Sequence, residues 1–250
     1  MTIRHRLVFC AVCAAGLVGR VAAMSSADAV ATLLNSRSSV GAKAFEEARE
    51  IVAREAAAGK PLQQFVVGVT TDDKALARRY LDASRGKIMG LASKKDNPLA
   101  WYLLSMESNN VRQLRRAADG GNVQALNALG TLLTQRAFDR TLASNEYDRA
   151  LSHSFECFSR AAAMSDPNGF FNLGTCYLRG LGCPRDDARA FRCYLSAAEA
   201  GHPEAMEGVS NCYRFGQGVD RDEATSLRWL MRARAVRGDA AAEKWLEGQK

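Results

Sequence analysis

The sequence predicts an all-α protein: an α-solenoid of stacked helix-turn-helix repeats, about five with two degenerate, preceded by a capping helix. Three observations predict it. The chain is rich in alanine and holds only five prolines, which favours helix. Runs of β-branched and aromatic residues are nearly absent, the segment from Phe65 to Thr71 being the longest. Above all, twenty-five residues from Phe170 are rewritten from Met206. Cys176 and Tyr177 recur as Cys212 and Tyr213, Gly180 and Gly182 as Gly216 and Gly218, and Asp186 as Asp222, each pair 36 residues apart.

The register extends backwards. Starts fall at Pro61, Pro98, Val123, Pro167 and Pro203, at intervals of 37, 25, 44 and 36 residues, with a last fragment from Ala240. A small residue stands two positions after each start (Ala100, Ala125, Gly169, Ala205, Ala242), Gln63 being the exception. Seven positions after each start come Gly68, Ser105, Gly130, Gly174 and Ser210, each preceded by an apolar residue such as Leu129 or Leu173. Small side chains at fixed places let neighbouring backbones approach while the adjacent Leu or Val fills the seam.

Each copy therefore reads as two helices. The first runs from its start to about Tyr177 or Tyr213 and is ended by Gly180 and Gly182, or by Gly216 and Gly218, since glycine accepts the left-handed cap conformation. Asp186 and Asp222 begin the second helix, where a carboxylate suits the N-terminal dipole. Ala190, Cys193, Tyr194, Ala197 and Ala198 then form a core stripe, repeated with Trp229 at the position of Cys193. The string Leu173-Gly174-x-x-Tyr177-x-x-Gly180-x-Gly182 with Ala190-x-x-Cys193-Tyr194-x-x-Ala197-Ala198-x-x-Gly201 resembles the Sel-one-like repeat (SLR), a tetratricopeptide relative. The match is strong over 123–238, weak over 61–122 and absent before that. It departs from the family where Cys157 and Cys193 replace the usual Trp and Ser210 replaces a glycine. The copy from Pro98 lacks the glycine turn, and the copy from Val123 carries an insertion, 136–150. The resemblance implies a superhelical scaffold that binds other proteins; it does not imply catalysis.

Before the repeats, the segment from Ser39 to Pro61 reads as a capping helix ended by Gly59, preceded by a loose arm. The expected organisation is a targeting segment over 1–23, the arm and capping helix over 24–60, and the repeat domain over 61–250. The targeting segment joins a basic start, an apolar run too short to span a membrane, Arg20 and small residues before a cut after Ala23. It predicts a secreted or periplasmic protein, with a mitochondrial presequence as the alternative. Cleavage removes three arginines, leaving 34 − 3 = 31 bases against 27 acids. That mild excess argues against nucleic acid as a partner, and no membrane span is expected after cleavage.

No catalytic, cofactor or metal residues can be named. The glycine pairs are followed by no lysine and preceded by no strand, so turns account for them better than a phosphate cradle. Asp220 to Glu223 lacks a calcium-loop frame and reads as a helix start. Five cysteines remain beyond the leader, and their spacing matches no zinc pattern. Buried thiols are the first reading; Cys176 paired with Cys183 or Cys193 is the candidate disulfide if the chain is exported. Arg228, Arg232, Arg237 and Lys244 read as a solvated face or an acidic partner's patch.

The leading function is a non-catalytic interaction scaffold binding a protein or peptide on a concave face lined by first helices. Candidate contacts are Asn127, Thr131, Phe171, Asn172, Thr175, Glu207, Asn211 and Arg214, with Phe171 expected to be an exposed aromatic anchor. One alternative is a cell-envelope small-ligand binder or enzyme using Asp139, Glu146, Asp148 and His153. The other is a cysteine-dependent assembly factor in an organelle.

Overall fold

The structure, a computed structural model, describes residues 25–34, 42–138 and 144–249; the expected targeting segment, Ser39 and Asp139 lie outside these. The described residues form thirteen α-helices and no strand. They fall into two compact units, one built from 25–34, 43–138 and 144–160 and the other from 161–249.

In the first unit the helices are α1 (Ser26–Leu34), α2 (Ala42–Ala57), α3 (Pro61–Thr70), α4 (Lys74–Lys95), α5 (Pro98–Ser108), α6 (Val111–Asp119), α7 (Val123–Ala137) and most of α8 (Ser144–Ala163). The second unit holds α9 (Pro167–Arg179), α10 (Asp187–Glu199), α11 (Pro203–Phe215), α12 (Glu223–Val236) and α13 (Ala240–Glu247). All six starts read from the sequence are the first residues of helices. Proline occupies four of them, where its missing N–H costs nothing and its φ already suits a helix.

Each of these starts is prepared in the same way. The residue two places earlier has positive φ: Gly59, Asp96, Gly121, Ser165, Gly201 and Gly238. The next residue caps: Asn97, Asn122, Asp166, His202 and Asp239 each accept a backbone N–H from the first turn, and Lys60 alone offers no side-chain cap. A left-handed residue followed by a cap turns the chain from one hairpin into the next and satisfies donors that the helix leaves open.

Unequal repeat lengths are absorbed by helix length. The 25-residue copy is short because α5 has 11 residues and α6 only 9, joined through left-handed Asn109 instead of a glycine turn. The insertion near 136–150 instead lengthens α8 to 20 residues, against 13 in α10.

The small residues sit where close approach requires them. A Cβ on Gly130 would lie 2.6 Å from the Phe158 ring, and one on Gly68 2.8 Å from Leu81. In the second unit a Cβ on Gly174 would meet the Tyr194 ring at 2.9 Å, and one on Gly169 the Ala162 backbone at 2.6 Å. Where Ser210 replaces the glycine, its hydroxyl bonds Ser226 at 2.9 Å in the buried seam. Gln63, the exception among the small residues, is buried but donates to Ser26 Oγ at 2.9 Å. That contact corrects one expectation: 26–34 are not a loose arm. Ala29, Val30 and Leu33 recur at helical spacing and are buried, and Ser25 accepts the Asp28 N–H at the helix start.

Gly180, Gly182, Gly216 and Gly218 all have φ between 70° and 72°. Gly218 carries a second constraint, since a Cβ there would lie 2.1 Å from the Asp187 carbonyl oxygen, whereas one on Gly216 meets nothing closer than 3.7 Å. Gly216→Ala is therefore expected to cost about 1–2 kcal/mol for the left-handed backbone alone, and Gly218→Ala clearly more, measured by urea unfolding. By the same measurement Gly174→Leu should cost about 1–3 kcal/mol by overpacking, whereas exposed Asn211→Ala should stay within about 0.5 kcal/mol. Equal costs for Gly174→Leu and Asn211→Ala would show that the seam does not limit stability.

Candidate partner-binding surface

In the second unit Tyr194 organises the first-helix residues. Its ring is 5% exposed and lies against Gly174 of its own hairpin and Gly208 of the next, whose Cβ positions come within 2.9 Å and 3.1 Å of it. Burial raises the phenol pKa, so the hydroxyl stays neutral, and it shares a hydrogen bond of 3.1 Å with Thr175 Oγ1. Thr175 also donates to the Phe171 carbonyl at 3.1 Å.

Phe171 is not the exposed anchor expected. It is half-buried, tilted against Tyr194 at 5.7 Å and stacked on His202 at 4.9 Å with 19° between planes. Asn172 is also half-buried, and its 36-residue successor is Gly208, the residue packed on Tyr194. Phe171, Asn172 and Thr175 are thus drawn toward the packing between helices. On α11 Glu207 is paired with Arg237, while Asn211 and Arg214 are exposed. Arg214 lies over the ring of Phe215 at 5.3 Å, and Phe215 is 63% exposed. Asn211, Arg214 and Phe215 stand three and four residues apart, on one helix face.

Phe215 was missed in the sequence because it ends a helix and looks like another core aromatic. The signal was present: 36 residues earlier stands Arg179, an exposed charge that marks the position as solvent-facing. In the first unit Thr131 is exposed and Asn127 half-buried on α7, whose C-cap, Phe138, is 55% exposed with its ring edge-on to Tyr147 at 6.2 Å.

The small-ligand alternative does not gain a site from its residues. Glu146, Asp148 and His153 are exposed on α8, and Glu146 and Asp148, two residues apart, cannot face one another. A concavity of about 390 Å³ lies elsewhere, lined by Met89, Ala92, Trp101 and Leu104 under a paired Arg85 and Glu107. The segment Asp220–Glu223 serves as a helix start, Asp222 accepting the Thr225 N–H at 3.0 Å and Arg221 pairing with Glu223 at 2.6 Å. On α12 Arg228 is exposed and Arg232 lies over Trp229 at 4.8 Å.

Cys157, Cys176, Cys183, Cys193 and Cys212 are all free, so Cys176 is bridged to neither Cys183 nor Cys193. Desolvation pushes the Cys176 thiol up to about 12 and those of Cys193 and Cys212 to about 11, and raises Cys157 and Cys183 as well. A thiol held protonated in this way is a poor nucleophile. Among the described residues no group of three or more His, Cys, Asp or Glu is arranged to hold a metal, and no helix is long and apolar enough to cross a membrane.

These features define a helical-hairpin protein of the α-solenoid class. Residues 147–166, 171–202 and 203–234 match the Sel1 repeat family model. No curated protein is significantly similar to the chain. Among solved structures it is similar to a Sel1 repeat protein from Oxalobacter formigenes, with 21% identity, 50% of this chain and 90% of that chain covered and a TM-score of 0.44. It is also similar to a protective antigen present in uropathogenic Escherichia coli strains displaying an SLR fold, with 19% identity, 79% and 52% coverage and a TM-score of 0.35.

Thiol burial gives a direct expectation. With a thiol reagent at pH 8 and peptide mapping, Cys183, half-buried and in the turn between α9 and α10, should label first among the five. Cys176 and Cys212 should label only on unfolding. Rapid labelling of Cys176 in the folded protein would contradict its position in the seam.

Proposed function

We propose that the chain is a non-catalytic interaction scaffold that docks a partner protein or peptide on the faces of its first helices. The observation that carries this is the group on α11: an exposed phenylalanine beside an arginine and an asparagine, on a helix whose opposite side is locked in the seam. Aromatic and arginine side chains are the types that anchor protein interfaces, and a rigid helix offers them at little ordering cost. The Sel1 repeats support the same reading, since such repeats serve generally as protein-binding scaffolds. Free thiols, three of them buried and all five raised in pKa by desolvation, favour it over a cysteine-dependent assembly factor.

The proposal includes the setting. The basic start, short apolar run and small residues of 1–23 direct the chain to a secreted or periplasmic compartment, with a mitochondrial one as the alternative. N-terminal sequencing of the protein from its native cell should then begin at Met24, and an intact Met1 would exclude cleavage.

The docking surface is tested with a photo-crosslinking phenylalanine analogue placed at Asn211, at Phe215 or, on the second helix, at Arg228. Asn211 and Phe215 should crosslink the same partner and Arg228 should not. Arg214→Glu should weaken that partner's binding by about tenfold or more. A partner captured only from position 228, or from none of the three, would refute the assignment.

A further inference from the structure

His202 is the odd member of a series. The other capped first helices use Asn97, Asn122, Asp166 and Asp239, whose side-chain oxygens accept the N–H three residues on. At α11 an imidazole does this: His202 Nδ1 accepts the Ala205 N–H at 3.2 Å. A ring nitrogen that accepts carries no proton, so the proton sits on Nε2, which lies 3.3 Å from Asn168 Oδ1 on α9 and donates to it. The residue is 3% exposed and stacks on Phe171. The ring thus caps α11 only while it is neutral, whereas its Nε2–H reaches Asn168 on α9 in either protonation state.

A second acceptor waits beside it. Glu204 Oε2 is buried, lies 3.3 Å from Nδ1 and receives no hydrogen bond. With Nδ1 unprotonated, two lone pairs face each other. With Nδ1 protonated, the same pair becomes a charge-assisted hydrogen bond. The other charges at the ring come from α11 and the end of α12: Arg237, 3.7 Å from Glu204 Oε1 and paired with Glu207, opposes a cation there.

We propose that His202 is an acid-operated cap: a proton taken from solvent onto Nδ1 withdraws the acceptor from Ala205, commits the ring to Glu204 and releases the first turn of α11. Burial outweighs the attraction of Glu204 and pushes the imidazole pKa down to about 4. An unfolded chain binds that proton near pH 6.5, so the capped state contributes fully above that value and loses its contribution as pH falls towards about 4. The helix that loosens is the one bearing Asn211, Arg214 and Phe215. The device stands whether or not that surface binds a partner.

The test follows the Ala205 amide and the His202 ring by NMR from about pH 7 down to about pH 2, below both expected midpoints, in the full chain, with hydrogen-exchange protection at Ala205. In the wild type, protection should fall with the same midpoint as the His202 titration. His202→Asn, which installs the cap found at positions 97 and 122, should keep Ala205 protected across the range. Glu204→Gln should move the His202 midpoint down by about one unit, because the favourable charge is lost. Ala205 remaining protected while His202 titrates, or losing protection equally in His202→Asn, would overturn the proposal.

Discussion

The second unit depends on one steric constraint: an aromatic ring held between positions that have no side chain. Tyr194 enters the seam of its own hairpin at Gly174 and that of the next at Gly208, so one ring sets both spacings. Interiors packed to crystal-like density cannot yield at such a point without moving whole helices. The Ser210–Ser226 hydrogen bond shows a second solution at the same register, closing the gap with matched polar groups. Gly218, where an added Cβ would lie 2.1 Å from the Asp187 carbonyl oxygen, then sets the turn of one hairpin against the start of the other's second helix.

Much of this architecture could be read from residue identity. Small side chains betray their task because few other reasons put Gly or Ala at matched places through a chain, and the six starts follow from them. The junctions were less legible. Glycine at 59, 121, 201 and 238 announces a left-handed turn, but Asp96 and Ser165 adopt it too, and their identities do not reveal it. Helix 26–34 was hidden for another reason. Its nine residues carry only three buried apolar side chains, too few to stand out, and its place is fixed by Ser26 and Gln63, a contact across 37 residues.

The surface was harder to read than the seam. Phe171 looked like an anchor because aromatic residues are conspicuous, yet Tyr194 and His202 lie against its ring. The difference between Phe171 and Phe215 is one of register, and the arginine 36 residues before Phe215 held that information. The cysteines were legible in part: buried thiols were the first reading, and all five are free with Cys157, Cys176 and Cys212 buried, whereas how far each thiol is shifted depends on desolvation, a property of the assembled helices.

The uniform hinge between hairpins has an evolutionary consequence. Because the modules from Pro98 onward begin with a left-handed residue, a side-chain cap and a small residue in the first turn, an in-frame duplication cut at that hinge would leave both flanking joints chemically intact. Length can also vary at the far end of a module, as the extended α8 does, without disturbing the joint. A chain assembled in this manner can gain or shed modules without inventing new contacts.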